Sequence, residues 1–216
     1  MGLIGKGTEG LKSGGSNIYF QPNKDGSANR VWVIAPDFDH IFNVPKVGVF
    51  KPKGPMNASW VYTGKGDAAD TLGLKPSSKV LLWVGVKEGD DYVPKLWETT
   101  ASTLSIIGTQ VNEFGFTLKG LMIVVKKEGN RWNVQAAAAP KNVAVKPEKL
   151  DELWAQVKEM GLDGSDEDKL LEKMGYVPLA RQRNWLIERG QFANWNALLK
   201  AFGLPPEATD VEDFDE

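Results

Sequence analysis

The chain has 216 residues, no cysteine and a single histidine, His40. This excludes disulfide staples, thiol nucleophiles and cysteine-ligated zinc, and leaves any histidine-based catalysis to one side chain. Net charge is −2, yet residues 1–146 carry 18 Lys and Arg against 12 Asp and Glu, while residues 147–216 carry 8 against 16; such asymmetry points to a polyanion-binding body with an acidic tail.

The first 16 residues are rich in Gly, Lys and Ser and read as a flexible arm. NIYFQP (17–22) and RVWVIAP (30–36), separated by the turn-like NKDGSAN, predict a hairpin. VPKVGVFKPKGP (44–55) suits an edge or loop because of its prolines, and MNASWVY (56–62) reads as a short strand. GKGDAADTLGL (64–74) reads as a loop. KVLLWVGVKE (79–88) is the strongest strand: Val80, Leu82, Val84 and Val86 share one face, with Leu81, Trp83 and Lys87 on the other. The second face favours a surface role for Trp83. After the turn at 89–91, YVPKLWE (92–98) continues as a strand. TASTLSIIGTQVNEFG (100–115) predicts a short helix with Leu104, Ile107 and Val111 on one side. FTLKGLMIVVKKEG (116–129) and RWNVQAAAAP (131–140) predict a closing hairpin, and Trp97 and Trp132 are expected inside the core.

Past Pro140 the periodicity becomes helical. Residues 147–161 place Leu150, Leu153, Trp154 and Val157 at helical spacing behind Pro147, a good first helical residue. Segments 165–175 (with Ser165 as N-cap), 181–190 and 194–203 complete a set of small helices. The fold class expected is therefore mainly β, an OB-like Greek-key barrel with extra hairpins, followed by a small helical region and a disordered acidic tail. The divisions are 1–16 (arm), 17–146 (barrel), 147–206 (helices) and 207–216 (tail).

Aromatic and basic residues interleave through the β-rich part, the pairing that single-stranded nucleic acid requires. Cations follow the phosphates while open rings stack on bases. The candidate contacts are Arg30, Trp32, Lys46, Lys51, Lys53, Trp60, Tyr62, Lys75, Lys79, Trp83 and Lys95. PDFDH (36–40) sets Asp37, Asp39 and His40 close together, but three ligands in so short a run read as a turn. No metal, cofactor or enzyme chemistry is expected.

Three segments carry a resemblance: LGLKPSSKVLLWVGVKE, then VPKLWETTASTLSIIGTQVNEFG, then FTLKGLMIVVKKEGNRWNVQAAAAP. In this order they resemble the DNA-binding core of the phage single-stranded-DNA-binding (helix-destabilising) proteins of the T-even-like type. The resemblance covers about a third of the chain and implies that Lys75, Lys79 and Trp83 face the DNA. The family's zinc module is lacking here, GKGDAADTLG standing in its place, and its basic N-terminal motif is not evident. The tail, with Asp210, Glu212, Asp213, Phe214, Asp215 and Glu216, looks like the tails that recruit replication or recombination proteins.

The expected function is to coat single-stranded DNA without sequence preference in replication, recombination or repair. Self-association is compatible with that role, and RNA offers the same two contacts. The alternative is a non-enzymatic phage structural or adaptor protein that binds partners through helices bearing Trp154, Trp185 and Trp195. No apolar run approaches the roughly 20 residues needed to cross a bilayer, and MGLIGKGTEG lacks an apolar signal-like stretch. The expected location is the cytoplasm of a phage-infected bacterium.

Overall fold

The computed structural model describes residues 18–49, 58–129, 131–190 and 192–208. The fold is a mixture of sheet and helix, with seven strands and six α-helices among the described residues. It divides into two compact units, each made of two stretches of chain: 1–43 with 79–166, and 44–78 with 167–216. These divisions differ from those read along the sequence. The first helix after Pro140 belongs with the strands, and an early hairpin belongs with the late helices.

The first unit is built on an antiparallel sheet of β1 (Asn29–Val33), β4 (Ser77–Glu88), β5 (Asp91–Thr99), β6 (Met122–Glu128) and β7 (Arg131–Ala137). Its order is β5-β4-β1-β6-β7. The two end strands do not pair with each other, so the sheet is open and the expected barrel is not closed. The β5 edge gains a further bridge, and β7 has a helix packed against it. Tyr19 adds a parallel bridge to Leu96 on the outer edge of β5, and α2 (Ala101–Asn112) packs against β7. The hairpin expected between 17–22 and 30–36 is thus replaced. Segment 18–20 joins β5, while β1 pairs with β4 and β6.

Register assigns the faces, because directly opposed residues of an antiparallel pair project to the same side. Val31, Val33, Val80, Leu82, Val84, Trp97, Ile123 and Val125 share the face that α2 closes with buried Thr103 and Ile107. Trp32, Leu81, Trp83, Gly85 and Leu96 share the other. That face takes α3 (Pro147–Glu159), whose Leu150, Leu153, Trp154 and Val157 are buried as their spacing predicts. Gly85 permits the approach: a Cβ there would lie 3.0 Å from Leu153 Cδ1 and 3.3 Å from Ile34 Cγ2.

The second unit pairs β2 (Phe42–Val49) with β3 (Ala58–Val61) as an antiparallel hairpin. It adds α1 (Ala68–Thr71), α4 (Glu167–Lys173), α5 (Leu179–Gly190) and α6 (Trp195–Ala201). Val47, Val49, Ala58 and Trp60 share one hairpin face and bury against Leu186 of α5 and Leu198 and Leu199 of α6. Beneath them lies a polar hub. Asp67, fully buried, accepts from the Trp60 indole (2.9 Å), from Thr63 N–H and hydroxyl (3.0 Å each), from Ala69 N–H (2.9 Å) and from Gln182 Nε2 (2.9 Å). The predicted N-cap Ser165 instead donates through N–H and hydroxyl to Asp163, and α4 starts two residues later.

Candidate nucleic-acid interface

The structure separates the sequence candidates. Trp32 and Trp60 are buried at 4% and 0% exposure, which closes their faces to a base. Trp83 is also fully buried, and its indole donates to Leu162 O at 2.9 Å. The expected surface role for Trp83 is therefore corrected: its face of the sheet is the one α3 covers. Lys46 and Lys95 are buried too, the latter paired with Glu88 at 2.9 Å. Tyr62 is half-buried, with its hydroxyl donating to Asp70 at 2.9 Å. That bond, foremost, with partial desolvation and the Asp70 and Asp67 charges, raises the phenol above its ordinary pKa. Arg30 and Lys75 are exposed. Lys51, Lys53 and the tail residues Asp210 to Glu216 lie outside the described residues.

One cleft of about 350 Å³ lies wholly within the first unit, where the ends of β4 and β5, the first turn of α2 and the β6–β7 hairpin meet. Lys79 lines it, and among the described sequence candidates it alone does so. Trp97 forms part of the wall, held by Phe20 edge-on at 5.8 Å and only 5% exposed. Val125 and Val134 supply apolar floor. Thr99, Thr100, Ser102 and Thr103 supply hydroxyls, engaged pairwise as Thr99–Thr103 (2.8 Å) and Thr100–Ser102 (2.7 Å).

The open ring of the cleft is Trp132, which sequence spacing placed in the core. It is 44% exposed. The physical reason is its place on edge strand β7, next to the hairpin turn, where residues 131–133 are all exposed. Lys127 stands directly opposite it in register, so cation and indole project from the same face. Arg30, opposite Val124, falls on the reverse face with Lys126 and Arg131. The signal for Trp132 was available in the hairpin: a tryptophan one residue from the turn of a terminal strand has a neighbour on only one side.

Comparison with protein-family models, curated proteins and solved structures gives no match. The cleft offers one accessible aromatic face, with Lys79 and Glu98 in its lining, Lys127 in register beside Trp132, and hydroxyls already bonded pairwise, in a volume at the small end of ligand sites.

The PDFDH run is a 3₁₀ turn over Phe38–His40, in which Asp37 accepts from Asp39 N–H (3.0 Å) and pairs with His40 Nδ1 (2.6 Å). The His40 bond, foremost, lowers the Asp37 pKa. Among the described residues no group of three or more His, Asp or Glu side chains is placed to hold a metal ion. No described helix is long and apolar enough to cross a membrane. Of the helical tryptophans, Trp154 is buried, while Trp185 and Trp195 pack against the core of the second unit.

Proposed function

We propose that the protein binds single-stranded DNA through the cleft beside α2, with Trp132 stacking on a base and Lys79 and Lys127 meeting the adjoining phosphates. The observation that carries this reading is the open indole of Trp132 with a lysine in register beside it. A base stacked on an aromatic ring contributes about 1–3 kcal/mol, and every base has a face to offer, so the contact needs no sequence code. A cleft of about 350 Å³ has room for an unpaired nucleotide but not for a duplex. On the other side of the hairpin Arg30 and Arg131 add positive charge, while Lys126 pairs with Glu128 at 3.4 Å. On this reading the acidic C-terminal residues recruit replication or recombination proteins, and the chain turns nothing over.

The test is titration of the full chain with oligo-dT at two salt concentrations, read by tryptophan fluorescence and gel mobility, with duplex and oligo-U alongside. The expected result is quenching that weakens with salt and is absent with duplex. Trp132→Ala should bind roughly ten- to a hundredfold more weakly. Unchanged fluorescence and mobility at low salt overturn the function. Equal affinity of wild type and Trp132→Ala leaves the function but removes this cleft as its seat.

A further inference from the structure

A second built site lies on α5 and α6, and the protein's own chain fills it. Glu207 is held through its side chain and its main chain at once. Its carboxylate takes a two-pronged bond from the Arg183 guanidinium, at 2.7 and 3.2 Å. Its main chain is read by the Asn196 side chain: Glu207 N–H donates to Asn196 Oδ1 (2.9 Å) and Asn196 Nδ2 donates to Glu207 O (3.2 Å). Arg183 in turn lies over the Trp195 ring, 4.9 Å from its centroid. Three residues earlier, Leu204 packs against the core of the same unit.

Each contact has a recognisable meaning. An amide side chain that both donates to and accepts from the backbone of one residue reproduces a rung of a β-ladder, so it reads extended peptide whatever the side chain. A guanidinium fork is matched to a carboxylate. Stacking on Trp195 holds the fork in place before any ligand arrives. Between the two anchors, Pro205 and Pro206 have their φ angles set in advance. This combination selects an extended segment with an apolar residue, two prolines and an acid.

We propose that the α5–α6 face is a peptide-binding site, filled in cis by the chain's own Leu204–Glu207 and able to take the same segment from a second copy. Every copy carries the fitting sequence. A two-residue connection from the end of α6 to Leu204 keeps the cis segment at millimolar effective concentration or above, so exchange stays suppressed in dilute solution. It becomes competitive where copies are crowded together.

The test uses a fluorescent peptide of residues 203–216 and the full chain, read by anisotropy. Glu207→Ala frees the Arg183 fork and leaves the cis segment only its Asn196 bonds and Leu204, so it should bind the peptide roughly tenfold more tightly than wild type. Adding Arg183→Lys to Glu207→Ala keeps the charge but loses the fork, and should abolish that gain. Should Glu207→Ala bind no better than wild type, or the Arg183→Lys addition leave its affinity unaltered, the site is not a peptide receptor. Circular dichroism of each variant guards the comparison: a loss seen only in a misfolded variant would be replaced by Asn196→Ala in the Glu207→Ala background, with the same expected loss.

Discussion

Gln182 on α5 donates its side-chain amide to Asp67 at 2.9 Å, 115 residues away in sequence, while its carbonyl oxygen accepts from Ala68 N–H at 2.7 Å. This reciprocal pair ties the start of α1 to α5 inside the second unit, with both side chains almost wholly buried. A lone carboxylate would not tolerate such burial. Five donors converge on it, and each buried donor left without an acceptor costs roughly 1–3 kcal/mol. Asp67→Ala is therefore expected to lower stability by at least about 3 kcal/mol, measured as the urea midpoint.

The same carboxylate gives a pH dependence. Burial, the largest influence, pushes its pKa up, but the hydrogen bonds from Ala69, Thr63, Trp60 and Gln182 together outweigh it and hold the pKa below the usual value. A depressed carboxyl favours the folded state above the unfolded pKa of about 4, and the contribution is lost as pH falls through the folded value. Wild type should lose urea stability from about pH 4 downward, and Asp67→Asn should flatten that part of the curve. Parallel wild-type and Asp67→Asn curves would show that other carboxylates govern acid unfolding.

Much of the architecture was legible and the site was not, for one physical reason. Strand β4, the β6–β7 hairpin and α3 follow from hydrophobic period, because each buries a stripe that local spacing reveals. Which face of a strand meets solvent depends on what arrives later in the chain. The face bearing Trp83 looks free until α3, seventy residues on, lays Leu153 against Gly85 and its following loop accepts the Trp83 indole at Leu162. Conversely, Trp132 looks like core until its strand proves to be an edge. Within the hub around Asp67 the bonds from Trp60, Thr63 and Ala69 are local, but the partner that ties it to α5, Gln182, has no local signal.

The two tryptophans should therefore separate in experiment. Trp83→Phe removes a buried donor and leaves Leu162 O without it, so stability should drop by about 1–3 kcal/mol in urea. Oligo-dT affinity should stay within error of wild type, opposite to the outcome for Trp132→Ala. Loss of DNA affinity by a fully folded Trp83→Phe protein would place the stacking surface elsewhere.

Gly85 and Leu153 should show coupling. Gly85→Ala puts a methyl 3.0 Å from Leu153 Cδ1 and should cost about 1–3 kcal/mol. Leu153→Ala alone empties a fully buried site and should cost about 2–5 kcal/mol. In the double variant the new methyl sits in the space the leucine leaves, so the combined loss should fall short of the sum by about 0.5 kcal/mol or more. A strictly additive cycle would mean that the strain at Gly85 is relieved through Ile34 rather than α3.

Lys79 and Lys75, both expected from the sequence to face DNA, are no longer equivalent. Lys79 lines the cleft, whereas Lys75 is an exposed side chain of the other unit. Each phosphate contact on a single strand contributes about 0.7 to the slope of log affinity against log salt. Lys79→Ala should reduce that slope by about 0.7 and weaken binding most at low salt. Lys75→Ala should leave the slope unchanged if the cleft alone carries the strand. An equal reduction from both would mean that the bound strand runs beyond the cleft, and Lys127→Ala then distinguishes a longer track from a displaced one: loss of slope there keeps Trp132 on the path, and no loss moves the path away from β7.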